Sequence, residues 1–341
     1  MYTKYGNFLS GDVSFISVST FKRRLQMSKT PKFKDKPPLG FIGQGWIGHN
    51  LADHFEDRGF SVVRYALDPE FQTNREAIAK CDIVFIAVPT PTTEYGFDHS
   101  ALDQALTLVG KGKTVVVRST MLPGTTDSLV TMFPDRFILH VPEFLREATA
   151  RFDIDNPDRN IVGIPTRFRF DSEWVSKADL VLSIMPESSH RATYKLICTA
   201  TEAEMIKHAG NEFLCLKTVF MNLMYDLLQT VGGSWDTVAE AMMADPRIGS
   251  SHMFPVHQNG HMGSSDNGRG AGGHCFPKDW SAIRMHYEKV LPKDQAGILM
   301  LKAIEVKNIR LLQDSGKDTR ILNDIYGENP LTVADLVGGQ K

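Results

Sequence analysis

"LGFIGQGWIGHNLADHFEDRG" runs from Leu39 to Gly59, and its reading decides the fold. "LGFI" is a short apolar strand, and Gly43, Gly45 and Gly48 then form a G-x-G-x-x-G turn. From that turn an amphipathic helix runs to a glycine stop at Gly59. Glycines at this spacing permit a tight turn and let a pyrophosphate approach the first N–H groups of the helix, where the dipole favours an anion. The pattern alone is common. The strand before it, the helix after it and a second strand, "FSVVRYAL" (60–67), make it a dinucleotide-binding unit, with NAD as the first expectation. The acid that grips the ribose belongs about 20 residues on. That slot holds Ala66, with Asp68 two residues later, so either Asp68 acts from a shifted turn or the grip is weaker. Arg64 would suit a 2′-phosphate and NADP, but it reads better as a strand residue turned away from the site.

Further strands follow: "CDIVFIAVPTPT" (81–92), "TVVVRST" (114–120), "RFILHVPEF" (136–144) and "RNIVGI" (159–164). Strands alternating with helical stretches predict an α/β fold, with a doubly wound, Rossmann-like parallel sheet over residues 39–200. The strands then stop. "EAEMIKHAGNEFLCLKTVFMNLMYDLLQTV" (202–231) has helical spacing throughout and ends at Gly232-Gly233. A helix follows at "WDTVAEAMMAD" (235–245), then a Gly/Ser/Asn/His-rich loop over 250–273, then helices from Lys278 to about residue 315. The predicted divisions are a basic flexible extension (1–38), a dinucleotide-binding domain (39–200), an all-helical dimerisation and catalytic domain (201–315) and a C-terminal tail (316–341).

The chain has 341 residues, 42% hydrophobic and 23% charged, which suits two globular domains. A net charge of -2 argues against a nucleic-acid partner. No apolar run reaches the roughly 20 residues of a membrane span, and no secretory signal is read. Residues 1–38 are locally basic, with eight Lys and Arg against Asp12 and Asp35, and Met27 is a plausible true start. Cys81, Cys198, Cys215 and Cys275 show neither paired nor metal-like spacing, which suits free thiols in the cytoplasm. No metal site is expected: His252, His257 and His261 lack accompanying ligands in a strong motif and, with Arg269, suit phosphate contacts instead.

"GRGAGGHCFPKD" (268–279) sets one cysteine among glycines, just before a helix start. The glycines read as access to the thiol, and Lys278 with the helix N-terminus reads as a device that depresses its pKa.

Seven blocks together resemble the UDP-glucose/GDP-mannose dehydrogenases. They are "VPTPT" (88–92), "STMLPGTT" (119–126), "VPEFLREATA" (141–150), "NPDRNIVG" (156–163), "AEMIKHAGNEF" (203–213), "DPRIG" (245–249) and "GGHCFPKD" (272–279), in the family's order. The resemblance covers about residues 39–310 and implies NAD-dependent oxidation of a sugar nucleotide's primary alcohol to the acid, most simply that of UDP-glucose. It implies Cys275 as a nucleophile carrying a thiohemiacetal and then a thioester, and Lys207 and Asn211 as stabilisers of the substrate oxyanion. Thr120 would orient a water, Glu143 and Glu147 would supply a base and a positioning carboxylate, and Asp279 would support the network. Trp46, Ile47, Pro89 and Thr90 fall on the cofactor side; Phe144, Leu145, Gly272 and Arg247, the last in a position to act within the chain or across a dimer, fall on the substrate side. The long helix implies a homodimer. Two features depart from the family. Only 62 residues follow Asp279, too few for the usual third, nucleotide-holding domain, and Val141 replaces the asparagine before P-E-F. The nucleotide is then held otherwise, the substrate is smaller, or the protein is degenerate. The rival readings are a two-domain 3-hydroxyacid or 6-phosphogluconate type dehydrogenase, which needs no thiol, and a non-catalytic nucleotide-binding relative.

Overall fold

The computed structural model describes residues 36–258 and 267–337, so most of the basic extension, Met27 and His261 lie outside the described residues. Seven strands form one sheet in the order β2-β1-β3-β6-β7-β8-β9. They are β1 (Leu39–Ile42), β2 (Val62–Tyr65), β3 (Ile83–Ile86), β6 (Thr114–Val117), β7 (Phe137–His140), β8 (Arg159–Ile164) and β9 (Tyr194–Thr199); β4 (Thr92–Thr93) and β5 (Gly96–Phe97) make a separate hairpin. Every residue of β1, β3 and β6 is buried, as expected of strands covered by helices on both faces. The fold is the expected α/β class, with the sheet winding outward in both directions from the gap between β1 and β3. A ligand crevice opens beyond the strand ends at such a switch point, and the glycine turn lies there.

One expectation needs correction: the sheet is not parallel throughout. β8 runs antiparallel to β7, with His140 facing Gly163, and β9 pairs parallel with β8. A parallel return needs a crossover, usually a helix laid across the sheet. Residues 141–158 instead contain only a 3₁₀ turn and the short helix Ala150–Asp155, so the chain re-enters from the edge where β7 ended. That reversal leaves Glu143 to Glu147 at the carboxyl edge of the sheet, beside the switch point.

The long helix spans Ala200–Val231. Thr199 and Glu202 form a reciprocal capping box at its start, and Gly232, with φ at 85°, ends it. It packs closely on β8 because Gly163 has no side chain; a Cβ there would lie 2.7 Å from the Ala200 Cα. Buried Glu204 ties the helix to the 119–126 block by accepting from the Gly124 and Thr126 N–H groups, at 2.6 and 2.8 Å, and from the Thr126 hydroxyl at 2.6 Å. The helices Phe276–Val290 and Gln295–Ser315 pack beyond it. Thr319–Tyr326, in the segment expected as a tail, is helical and buries Leu322, Ile325 and Tyr326 against Ile309 and Leu312. No described helix is long and apolar enough to cross a membrane.

Candidate active site

A cleft of about 890 Å³ opens at the switch point and is lined by Gly43, Gly45, Trp46, Ile47, Asp68, Pro89 and Thr120. The three glycines have different structural causes. Gly43 has φ at 91°, and a Cβ there would lie 2.2 Å from the Ala87 carbonyl oxygen. At Gly48 a Cβ would lie 1.9 Å from the Gly43 oxygen. At Gly45 a Cβ would meet no protein atom within 4 Å, so this glycine leaves open space at the start of the helix Trp46–Asp57. That open cradle fits a dinucleotide pyrophosphate, with Gly45, Trp46 and Ile47 as its floor. Gly45→Ala is expected to leave the thermal midpoint unchanged while weakening NAD roughly tenfold or more, because its methyl occupies ligand space. Gly48→Ala is expected to lower the midpoint itself, by backbone overpacking. Calorimetric melts and NAD titration of both variants separate the two effects.

Asp68 lines the ribose end, and buried Ala66 leaves the usual acidic slot without a carboxylate. Arg64 is turned onto the preceding helix, bonded to Asp53 at 2.6 Å and Glu56 at 2.7 Å. It is occupied there, as expected of a residue facing away from the cofactor. Two expected cofactor residues do not line the cleft. Gly48 packs beneath the turn, and buried Thr90 braces the opposite wall by donating to the Thr120 carbonyl at 2.9 Å.

A second cleft, of about 790 Å³, lies between the 142–147 segment, the long helix and the glycine-rich turn at 272–273. Glu143, Leu145, Glu147, Lys207, His274 and Cys275 line both clefts and form their common wall. Phe144, Asn211 and Gly272 line the second alone. Asp279 lines neither. It is buried behind the wall, where it accepts from the Asn211 amide at 2.7 Å and from the Lys278 ammonium. Arg247 is exposed, chelates Asp245 and touches neither cleft in this chain. Arg269 is likewise engaged elsewhere, on Asn222 and Asp226 of the long helix.

Cys275 stands as the residue before the helix Phe276–Val290, with its thiol open to the clefts, whereas Cys81, Cys198 and Cys215 are buried. The expected depression of its pKa does not hold. Crowding by protein pushes the thiol up; Lys207 and Lys278 pull it down, and Asp279 and Glu147 oppose them. The glycines also have another cause than access. A Cβ at Gly268 would lie 2.7 Å from the Lys317 Cβ, and one at Gly272 would lie 2.0 Å from Asp318 Oδ2. Residues 308–318 lie directly against Gly268, Gly270 and Gly272, whereas a Cβ at Gly273 would meet nothing within 4 Å.

Two residues of the second cleft carried no role in the sequence. Arg118 is buried and ion-paired with Glu143, and burial brings its guanidinium down to about 9. Its signal was a lone cation closing an apolar strand. His274, inside the cysteine motif, contacts Glu147 through Nδ1 at 3.2 Å. Deeper in the long helix, burial holds His208 down at about 4 and raises Glu212 well above a normal carboxyl. Lys207 is buried rather than part of a solvated helix face.

Residues 66–171 match the NAD-binding domain of the UDP-glucose/GDP-mannose dehydrogenase family, and residues 201–304 match its central domain. The chain belongs to the UDP-glucose/GDP-mannose dehydrogenase family. NAD is the cofactor of this family's first domain, and the open cradle at Gly45 fits it. A UDP-glucose 6-dehydrogenase of Haloferax volcanii is 28% identical over 72% of this chain and 64% of its own length. One of Rhizobium meliloti is 31% identical over 73% of this chain and 56% of its own. The chain thus spans less than two thirds of the length of these relatives. Among solved structures, a UDP-glucose dehydrogenase from Pyrobaculum islandicum superposes with a TM-score of 0.66 at 27% identity, covering 84% of this chain and 70% of that one. A Mycobacterium tuberculosis 3-hydroxyisobutyrate dehydrogenase shares the fold, with a TM-score of 0.61 at 14% identity, over 84% of this chain and 98% of that one.

Proposed function

We propose that this protein oxidises the primary alcohol of a nucleotide sugar, UDP-glucose first among them, to the uronic acid in two NAD-dependent steps through Cys275. The observation that carries this reading is the placement of Cys275 on the wall common to both clefts, facing the cofactor side and the substrate side at once. NAD, when bound, supplies the hydride acceptor for both oxidations.

The chain's own residues do the rest. Lys207 on the common wall and Asn211 one turn further stabilise the oxygen as negative charge develops on it. Asp279 fixes the Asn211 amide and the Lys278 ammonium behind them. The Cys275 thiolate adds to the aldehyde carbon to give a thiohemiacetal, whose oxidation leaves a thioester. Water cleaves the thioester, releasing the carboxylate and restoring the thiol. Glu147, held against His274, is the base for that water; Glu143, paired with Arg118, positions the wall. Thr120, on the cofactor side, orients a water near the reacting carbon.

The test is NADH formation with a panel of UDP- and GDP-sugars, in which two NADH per sugar supports the reading. A second reading draws on the near-complete superposition with 3-hydroxyisobutyrate dehydrogenase. It leaves Cys275 without a task, and turnover of a 3-hydroxy acid with silence on every sugar nucleotide would establish it.

The same proposal includes a homodimer in the cytoplasm. Phe213, Phe220 and Leu227 recur every seven residues on the long helix and are exposed, a stripe that a second copy would cover. Phe220→Glu is expected to halve the mass seen by light scattering; a wild-type protein that is already monomeric at micromolar concentration sinks the dimer.

A further inference from the structure

The cofactor cleft carries one charge that the reaction does not employ. Among its lining residues the Lys and Arg side chains are Lys207 and Arg75. Lys207 belongs to the wall shared with the second cleft. Arg75 lines the first cleft alone, in company with Tyr65, Ala66, Leu67 and Asp68. That is where β2 ends, and the ribose of a dinucleotide's adenosine half belongs at the end of this strand. The Arg75 side chain makes no hydrogen bond or ion pair among the described residues, and its position is exposed.

The chain holds this arginine in place. After β2 it turns at Asp68, whose carbonyl accepts from the Phe71 and Gln72 N–H groups at 3.0 and 3.2 Å. The Gln72 amide reaches back to the Leu67 carbonyl, and the Asn74 amide donates to the Arg64 carbonyl in β2 at 2.9 Å. These ties fold residues 68–74 onto the strand end. The short helix Arg75–Lys80 therefore starts beside it, with Arg75 as its first residue.

In a dinucleotide fold that takes NAD alone, the acid at the end of β2 bonds the ribose 2′-hydroxyl, and its charge repels a 2′-phosphate. Ala66 does neither, and it is only 8% exposed. Asp68 is the acid of this end of the cleft, but it is exposed, where solvent and salt screen its repulsion. Arg64, the cation within β2, is spent on Asp53 and Glu56. What remains is a ribose slot without its acid beside a guanidinium without a partner. A phosphate on the 2′-oxygen matches that pair, since it sets a dianion against a planar fork of donors.

We propose that the cofactor site takes NADP as well as NAD, with Arg75 holding the 2′-phosphate and Ala66 withdrawing the carboxylate that would exclude it. The inference concerns the dinucleotide cleft alone and does not rest on the sugar-nucleotide reading.

The test is calorimetric titration of the full chain with NAD and NADP, and with adenosine 2′,5′-bisphosphate against adenosine 5′-monophosphate. NADP is expected to bind within about tenfold of NAD, and the bisphosphate about threefold or more tighter than the monophosphate. Arg75→Met is expected to weaken NADP and the bisphosphate by about tenfold, with NAD and the monophosphate changed by less than about twofold. Arg75→Glu, which replaces attraction by repulsion, is expected to weaken NADP by about a hundredfold. Because the position is exposed, the thermal midpoint should stay the same in both variants. NADP binding weaker than NAD by more than about tenfold overturns the site, as does an Arg75→Met variant that weakens NAD and NADP alike or neither. The two readings fail separately. Silence of every sugar nucleotide with either cofactor sinks the oxidation, while the titrations still decide the 2′-phosphate site.

Discussion

Cys275→Ser is expected to lower complete oxidation of UDP-glucose by roughly 10³-fold or more, leaving a single slow NADH per sugar where the parent protein gives two. The reason is the order of bonds. In the proposed reaction the first hydride leaves an alcohol carbon and needs no thiol; the second leaves only after sulfur has added to the aldehyde. A serine hydroxyl at the same place is far less ionised and forms an ester that is slower to cleave. Because the protein crowding around the Cys275 thiol pushes it up, its alkylation by iodoacetamide should climb with pH through a midpoint above that of an ordinary thiol. Lys207 is the largest influence pulling the other way, so Lys207→Met should move that midpoint further up. Two NADH per sugar at an undiminished rate in the serine variant would remove Cys275 from the chemistry.

Lys207→Met ranks second, with an expected loss of about 10²- to 10³-fold in kcat. Lys207 is buried, has no carboxylate partner among the described residues, and lies 5.8 Å over the Phe144 ring on the wall that both clefts share. An ammonium held in that way costs no reorganisation when charge develops on the substrate oxygen. The loss should fall on kcat with little change in KM. The reverse result, a raised KM at full kcat, would make Lys207 a ground-state contact and leave the oxyanion without its cation. Asn211→Ala should show the same signature at a smaller size, since its amide is a neutral donor fixed by Asp279.

Much of this was legible in the chain itself. The glycine turn, the alternation of apolar strands with helices and the unbroken helical spacing up to Val231 are local patterns, and each became the element it predicted. The Glu143/Glu147 block, Lys207 and Cys275 lie far apart in sequence, and ordered blocks resembling one family were enough to group them. Other features had no local signal. The reversal at β8 follows from what residues 141–158 lack, a crossover helix, and apolar strands read alike in either direction. Arg269 was matched to phosphate by type and Arg247 to the sugar nucleotide by resemblance; within this chain they pair with Asp226 and Asp245. The Cys275 pKa was misjudged because proximity to Lys278 is visible in sequence and the crowding of surrounding protein around the thiol is not.

Composition, periodicity and glycine spacing are short-range properties of a polymer, and by themselves they determined the α/β class, the dinucleotide turn and the long helix. Tertiary structure alone decided which charges are neutralised and which are left over. Glu143 meets Arg118 across 25 positions, Asn211 meets Asp279 across 68, and Lys317 reaches the Gly270 carbonyl across 47. Electrostatic energy depends on separation in space and on burial, and neither is written in the order of residues.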